Sequence, residues 1–156
     1  MLKRLQKSKE GFTIIEVLIV LAIAGLILLI VFLAVPALQR NSRNTTMKND
    51  AAAIAGGVSE YESNNNGGLP ASMANVTGTV TIGAAGTAQA TAKINGSTTL
   101  DAALSAAPGA GVPNAGHIAY WLGHKCDASA SNRAIAIYYP IEVAGGVATT
   151  PGCVES

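Results

Sequence analysis

Residues 12–35 read FTIIEVLIVLAIAGLILLIVFLAV, and Glu16 is the only charged residue in this stretch. As a helix rising ~1.5 Å per residue, the stretch is about 36 Å long, whereas the hydrocarbon core of a bilayer is about 30 Å thick. A helix that is apolar on every side over this length is rarely the core helix of a globular domain. The stretch therefore predicts a membrane-spanning helix.

The composition of the whole chain agrees with a membrane anchor. Of its 156 residues, 49% are hydrophobic but only 4% are aromatic, and the charged content is 12%. A typical soluble domain has about 25% charged residues. The net charge is +1, so bulk charge excludes a basic nucleic-acid-binding protein from the expected classes. Beside the apolar stretch, the length leaves room for one domain of ordinary size.

A basic segment precedes the apolar stretch and sets its orientation. Residues 1–11 read MLKRLQKSKEG, in which four basic residues stand against Glu10. The positive-inside rule keeps this segment cytoplasmic and puts the carboxyl-terminal part of the chain outside. A secretory signal peptide is the main alternative, but its apolar region is only about 7 to 15 residues long and precedes a small-residue cleavage site. Residues 31–38, VFLAVPAL, match such a site weakly.

The position of Glu16 inside the apolar stretch needs an explanation, because an ionised carboxylate inside a membrane is unfavourable without a partner. A carboxylate near the cytoplasmic face can also snorkel to water. The surrounding residues 11–20 read GFTIIEVLIV behind the short basic leader. This segment closely resembles the class III signal of type IV pilins and the related pseudopilins.

The resemblance implies a defined processing route. A membrane-embedded prepilin peptidase would cut after Gly11 and methylate the new amino terminus at Phe12. Glu16 of one subunit would then neutralise the Phe12 ammonium of a neighbouring subunit during filament assembly. Residues 1–11 would be a cleaved leader, residues 12–38 the transmembrane and assembly helix, and residues 39–156 the extracellular head, which includes the second half of the long helix.

Beyond residue 38, the sequence predicts an amphipathic second half of the same helix. Apolar residues recur there at spacings of three and four, at Met47, Ala51, Ile54, Val58 and Tyr61. The charged residues of this segment, at positions 40, 43, 48 and 50, are expected largely off that face. The run of asparagine and glycine at residues 64–68 predicts the end of the helix.

Short strands are expected in the head. Residues 77–82 alternate small polar and β-branched residues, and residues 117–123 and 133–143 predict a hairpin with its loop at 125–132. Pro140 places the second of these strands at a sheet edge or ends it there. Residues 100–107 predict a short helix capped by Thr99, and disorder is the alternative for part of residues 71–116. The expected fold class is α+β, with a long amino-terminal helix packed on a small antiparallel sheet, as in pilins.

Cys126 and Cys153 are the only cysteines in the sequence, and the predicted topology puts both outside the membrane, where disulfides persist. A disulfide between them would stabilise the fold by about 3 to 4 kcal/mol in the chain-entropy model. It would also resemble the carboxyl-terminal disulfide loop of many pilins. A thiol or metal site that uses His117, His124, Cys126 and Asp127 is the alternative, although the sequence lacks the Cys and His pairs of a structural zinc site.

Motifs for catalysis are missing from the sequence, which has no Walker loop, GxSxG, HExxH or GxGxxG. We therefore expect neither enzymatic activity nor a cofactor or metal. Glu60 and Glu62 could help to bind calcium, as loops do in some pseudopilins, but no EF-hand-like ligand ladder accompanies them. Asn-x-Ser/Thr patterns for N-glycosylation begin at Asn44, Asn75 and Asn95, although chance alone suffices to produce such patterns in a chain so rich in Asn and Thr.

The resemblance implies a structural subunit of a type IV pilus. Its partners would be further copies of itself in a helical homopolymer, the prepilin peptidase, a pilus assembly platform protein and a cytoplasmic ATPase. The precursor would lie in the cell membrane and the assembled subunit in an extracellular pilus, or fimbrium, and no nucleic-acid partner is predicted from charge. Cell adhesion, twitching motility and DNA uptake are functions of the family. A pseudopilin of a type II secretion system is the alternative, and an anchored, exported enzyme or binding protein is a third possibility.

Overall fold

A computed structural model describes residues 11–84, 87–106 and 113–156. Within these residues, one long helix is followed by nine short strands, so the chain has the α+β fold class that the sequence predicts. The elements are α1 (Ile14–Asn64), β1 (Ser72–Val76), β2 (Thr79–Ala84), β3 (Thr87–Lys93), β4 (Thr99–Ala103), β5 (His117–His124), β6 (Ala130–Tyr139), β7 (Glu142–Val143), β8 (Gly146–Val147) and β9 (Gly152–Glu155).

The chain divides into two compact units, of which the first ends at Leu38 and the second begins at Gln39. In the first unit, every described residue is exposed. The apolar part of α1 is long and apolar enough to cross a membrane, as judged from length and composition.

The strands of the second unit form three sheets. The first is antiparallel, in the order β1-β2-β3, and the third pairs β7 with β8. The second has the order β4-β5-β6-β9, in which β4 runs parallel to β5 and the other pairs are antiparallel. The architecture is thus richer than the single antiparallel sheet expected from the sequence.

One face of α1 forms the core of the second unit together with the two larger sheets. The five helix residues predicted from their spacing, Met47, Ala51, Ile54, Val58 and Tyr61, are all buried, which confirms that prediction. Across from them lie apolar side chains from six strands. These are Met73, Val80, Ile82, Ala90, Ala92, Leu100, Ile118, Tyr120, Ile135 and Ile137.

At Gly57, α1 packs closely on the first sheet. A Cβ atom at this position would lie 2.7 Å from Cδ1 of Ile82 and 3.3 Å from Cβ of Ala92. Real Cβ atoms essentially never come as close as 2.7 Å to such an atom. At the preceding Gly56, by contrast, an added Cβ would meet nothing within 4 Å. The close approach of helix and sheet therefore favours glycine at position 57, whereas position 56 has room for a larger side chain.

Asp50 departs from the sequence prediction, because it lies on the packed face of α1 and is buried. Its carboxylate accepts hydrogen bonds from the Thr98 hydroxyl (2.6 Å) and from the backbone N–H of Asn95 (3.1 Å). These two donors compensate for the loss of water that burial of a carboxylate entails. The turn that joins β3 to β4 is thereby fastened to the helix.

The carboxyl end of α1 follows the predicted breaker cluster. The helix ends at Asn64, and the backbone N–H of Gly67 donates to the carbonyl of Glu62 at 2.7 Å. Gly67 adopts a φ of 77°, a left-handed conformation in which glycine carries little steric penalty. The run of asparagine and glycine thus stops the helix through a local backbone conformation.

The predicted hairpin is present as β5 and β6, but its bounds differ from those predicted: β6 begins at Ala130, inside the loop expected at 125–132, and ends at Tyr139, and residues 142–143 form the separate strand β7. Ala119, Trp121 and Leu122 pair with Tyr138, Ala136 and Ile135, in antiparallel register. The strand β6 ends immediately before Pro140, one of the two outcomes expected for that proline. It is not an edge strand, because β9 pairs with its other side.

The helix predicted for residues 100–107 is wrong, because residues 99–103 form the strand β4; residue 107 lies outside the described part of the chain. Thr99 pairs with His117, and the buried Leu100 pairs with Ile118. Alanine-rich sequence favours a helix locally, but backbone pairing with β5 and the burial of Leu100 override that propensity.

Candidate functional site

The amino-terminal end of α1 is the candidate site, and it begins with exposed, non-helical backbone. Gly11, Phe12 and Thr13 precede the helix, which starts at Ile14. Phe12 is 90% exposed, and a Cβ atom added to Gly11 would meet nothing within 4 Å. Among the residues that the structure describes, both residues of the peptide bond between Gly11 and Phe12 are therefore exposed.

Thr13 and Glu16 form a reciprocal cap at the start of α1. The Glu16 carboxylate accepts hydrogen bonds from the backbone N–H of Thr13 (2.8 Å) and from its hydroxyl (2.7 Å). The N–H of Glu16 in turn donates to the Thr13 hydroxyl at 3.4 Å. This is the capping-box arrangement, in which a threonine before the helix and a glutamate three residues later satisfy each other's backbone donors.

The cap is a feature that the sequence analysis missed, although a Thr-x-x-Glu pattern before an apolar run signals it. Both donors to the Glu16 carboxylate are neutral groups, so the hydrogen bonds leave its negative charge unmatched. The carboxylate lies at the positive end of the helix dipole, which favours a negative charge there. The same carboxylate borders a groove that is otherwise lined by Phe12, Val17, Val20 and Leu21.

The apolar part of α1 presents large aliphatic side chains in every direction. Their exposed fractions range from 40% at Val35 to 82% at Ile14. Monomeric soluble proteins rarely expose contiguous apolar patches larger than a few hundred Å². A surface of this kind needs lipid or other apolar helices around it.

Cys126 and Cys153 form a disulfide. Cys126 lies in the loop before β6, and Cys153 lies in β9, where it pairs with Tyr138. The N–H of Cys126 also donates to the Glu155 carboxylate at 2.7 Å. The carboxyl-terminal strand is thus tied to the second sheet by a covalent bond as well as by backbone pairing.

Hydrogen bonds from Arg43 and Asn44 to Glu142 fasten β7 to α1 inside the second unit. The Arg43 guanidinium donates from Nε to both carboxylate oxygens of Glu142, each at 2.8 Å. The Asn44 side chain donates to the backbone oxygen of Glu142 (3.0 Å) and accepts from its N–H (2.7 Å). The hydrogen bonds from Arg43 hold the pKa of the Glu142 carboxyl below its usual range.

The residues of the alternative metal site are engaged elsewhere. Nδ1 of His117 lies 2.8 Å from the Asp101 carboxylate, and His124 stacks on Trp121 with ring centroids 3.5 Å apart. Cys126 is in the disulfide, and the Asp127 carboxylate accepts a hydrogen bond from the N–H of Ser129 at 2.9 Å. Within residues 11–84, 87–106 and 113–156, no group of three or more His, Cys, Asp or Glu residues is placed to hold a metal ion.

Comparison with protein families matches residues 6–32 to the prokaryotic N-terminal methylation motif. The matched segment contains Gly11, Phe12, Thr13 and Glu16 and extends into the apolar part of α1. Comparisons with curated proteins and with solved structures find no match. Residues 6–32 therefore carry the prokaryotic N-terminal methylation motif, which is the class III signal peptide of type IV pilins and pseudopilins.

Proposed function

We propose that this chain is a structural subunit of a type IV pilus, made as a membrane-anchored precursor and polymerised through its apolar helix. The observation that carries the proposal is the methylation motif, which lies on a helix whose apolar residues are exposed on all sides. Lipid covers this surface in the precursor, and neighbouring helices cover it in the filament. The motif belongs to structural proteins rather than to an enzyme family, so we assign the chain no catalytic role.

Processing takes place at the exposed bond between Gly11 and Phe12. A prepilin peptidase cleaves after Gly11, and the new amino terminus at Phe12 is methylated. Cleavage removes the basic leader and creates an ammonium group one residue before the Thr13–Glu16 cap. The subunit then leaves the membrane with the help of a platform protein and an assembly ATPase and joins an extracellular pilus.

Glu16 contributes the charge that guides assembly. Thr13 holds the carboxylate at the helix terminus without neutralising it, because both donors are uncharged. In surroundings of low dielectric constant, an unmatched charge is costly and an oppositely charged partner is strongly attracted. The Phe12 ammonium of a neighbouring subunit supplies that partner, and a subunit in the wrong register leaves both charges unpaired.

The carboxyl-terminal disulfide supports a pilin rather than a pseudopilin. A carboxyl-terminal loop closed by a disulfide is one of the features in which this sequence resembles many pilins. A pseudopilin of a type II secretion system would form a short periplasmic piston instead of a surface filament. The two classes therefore differ in where the assembled protein is found.

Three variants test the roles of the site residues, and a fourth serves as the control. Replacing Gly11 by valine is expected to leave an unprocessed precursor in the membrane. Both Glu16→Ala and Glu16→Gln are expected to be cleaved normally but to reduce filaments strongly, and Glu16→Gln separates loss of charge from loss of side-chain size. Glu60→Ala, at an exposed glutamate on the same helix, is the matched control and is expected to assemble as the wild type does.

The readouts are the mass of the membrane-bound subunit and the number of filaments in electron micrographs. Cleavage of the Gly11 variant at the wild-type position would contradict the assigned processing site. Filaments at wild-type abundance with Glu16→Gln would show that the charge of Glu16 is dispensable. Normal processing without any surface filament in the wild type would favour the pseudopilin.

A further inference from the structure

We propose that the side-chain amide of Asn95 is the acceptor of an N-linked oligosaccharide on the head. The inference rests on the topology in the proposed function, which places residues 39–156 outside the membrane. The sequence contains three Asn-x-Ser/Thr patterns, beginning at Asn44, Asn75 and Asn95. Attachment of a sugar requires an amide nitrogen that is accessible and not engaged in the fold, and the three asparagines differ in this respect.

The side-chain amides of Asn44 and Asn75 both make hydrogen bonds within the head. Nδ2 of Asn44 donates to the backbone oxygen of Glu142, and its Oδ1 accepts from the N–H of the same residue. Nδ2 of Asn75 donates to the carbonyl of Thr98 at 3.1 Å, and its Oδ1 is buried. A sugar on either nitrogen would break a contact that connects two elements of the head.

The side chain of Asn95, by contrast, is exposed to solvent. Residues 95–97 are all exposed in the turn between β3 and β4. Oδ1 of Asn95 accepts hydrogen bonds from the N–H (3.0 Å) and the hydroxyl (2.8 Å) of Ser97, the third residue of the pattern. Among the residues that the structure describes, Nδ2 of Asn95 donates to no acceptor. The Ser97 hydroxyl thus fixes the amide oxygen, while the amide nitrogen stays open.

Asp50 of α1 holds the turn between β3 and β4 in place, so that a sugar on the exposed side of the turn need not disturb the core. The Asp50 carboxylate binds the backbone N–H of Asn95 and the hydroxyl of Thr98. The N–H of Thr98 closes the turn by donating to the carbonyl of Asn95 at 2.9 Å. These contacts use the backbone of Asn95 and leave its side chain to the solvent.

The co-substrate is an oligosaccharide linked to a polyprenyl diphosphate, supplied by a membrane-bound transferase. Nδ2 of Asn95 attacks the anomeric carbon of the first sugar and forms a carbon–nitrogen bond. The bond between that carbon and the diphosphate oxygen breaks, and the diphosphate leaves with its lipid. The proton lost from the amide passes to a base of the transferase.

Tryptic digestion separates the three patterns, because cleavage after Arg43, Lys48, Lys93 and Lys125 puts them in the peptides 44–48, 49–93 and 94–125. The experiment is mass spectrometry of these peptides from the subunit purified from the cells that make it. We expect a sugar increment on peptide 94–125, with sugar fragment ions on collision, and polypeptide masses for the other two. Asn95→Gln and Ser97→Ala are expected to lose the increment entirely, whereas Ser97→Thr keeps it.

Polypeptide mass alone for peptide 94–125 in the wild type would overturn the inference, and so would an increment that persists in Asn95→Gln. Conversion of Asn95 to aspartate with no sugar attached would also overturn it. The same digest contains the amino-terminal peptide, whose mass shows whether the chain begins at Phe12. A chain that begins at methylated Phe12 with no sugar refutes this inference alone, whereas an uncleaved leader refutes the proposed function.

Discussion

Replacing Gly57 by alanine tests how closely α1 packs on the first sheet. The added methyl group would lie 2.7 Å from Cδ1 of Ile82, a fully buried side chain with little freedom to move away. Overpacking of this kind costs about 1 to 3 kcal/mol. Alanine also gains about 1 kcal/mol over glycine through its helix propensity, so the net change is a loss of up to about 2 kcal/mol.

Gly56→Ala is the matched control on the same helix, because an added Cβ there meets nothing within 4 Å. This variant is expected to gain about 1 kcal/mol from propensity alone. The two variants should therefore differ in free energy of unfolding by about 1 to 3 kcal/mol, the overpacking contribution.

The assay is unfolding of the detergent-solubilised protein in guanidinium chloride, followed by the fluorescence of Trp121, the single tryptophan of the chain. Trp121 lies in β5 of the second sheet, whereas Gly57 packs on the first sheet, so the Trp121 signal reports the unfolding of the head. The midpoint for Gly57→Ala is expected below that of Gly56→Ala, with an unchanged slope. Equal midpoints would refute the close packing at Gly57.

Two further predictions concern the disulfide and the Arg43–Glu142 ion pair. Replacing both Cys126 and Cys153 by serine should lower the free energy of unfolding by about 3 to 4 kcal/mol, because the unfolded chain loses a cross-link between residues 27 positions apart; a denaturation midpoint equal to that of the wild type would contradict this. The hydrogen bonds from Arg43 lower the pKa of the Glu142 carboxyl in the folded protein. The contribution of this pair to the free energy of unfolding is therefore fully present above the ordinary pKa of glutamate, and it is lost as the pH falls through the lowered pKa. In Arg43→Gln the pKa of the Glu142 carboxyl should rise towards its ordinary range in an NMR titration, and the same pKa in both proteins would refute the assignment.

The sequence predicts α1 well because two independent signals lie on it. The apolar run accounts for the membrane segment, and the spacing of Met47, Ala51, Ile54, Val58 and Tyr61 identifies the buried face. The hairpin of β5 and β6 can also be predicted, from the alternation of side chains along the sequence and from Pro140, which follows the end of β6. Each of these features depends on residues close together in the chain.

Features that depend on distant partners could not be predicted in the same way. Asp50 is buried because Thr98 and Asn95 satisfy its carboxylate, and the chain separates these donors from it by more than forty residues. Similarly, residues 99–103 form a strand because β5 pairs beside them. The first sheet is recognisable only in part, from the alternation at residues 77–82.

At the candidate site, Gly11, Phe12 and Glu16 are predicted from the resemblance of the sequence to pilins, whereas the contact of Thr13 with Glu16 emerges from the geometry. The Thr-x-x-Glu spacing that signals such a cap is present in the sequence, in addition to the charge pairing that the resemblance implies for Glu16. The two roles are compatible, since the cap supplies neutral donors and leaves the charge for a partner.

The central claim is that this chain becomes a processed subunit of a surface filament. Its most direct test is the intact mass of the protein in filaments sheared from the cell surface, measured with and without reduction. We expect a mass that starts at N-methylated Phe12 and rises by two hydrogens on reduction of the Cys126–Cys153 disulfide. An uncleaved chain confined to the membrane, with none in the sheared material, would contradict the account.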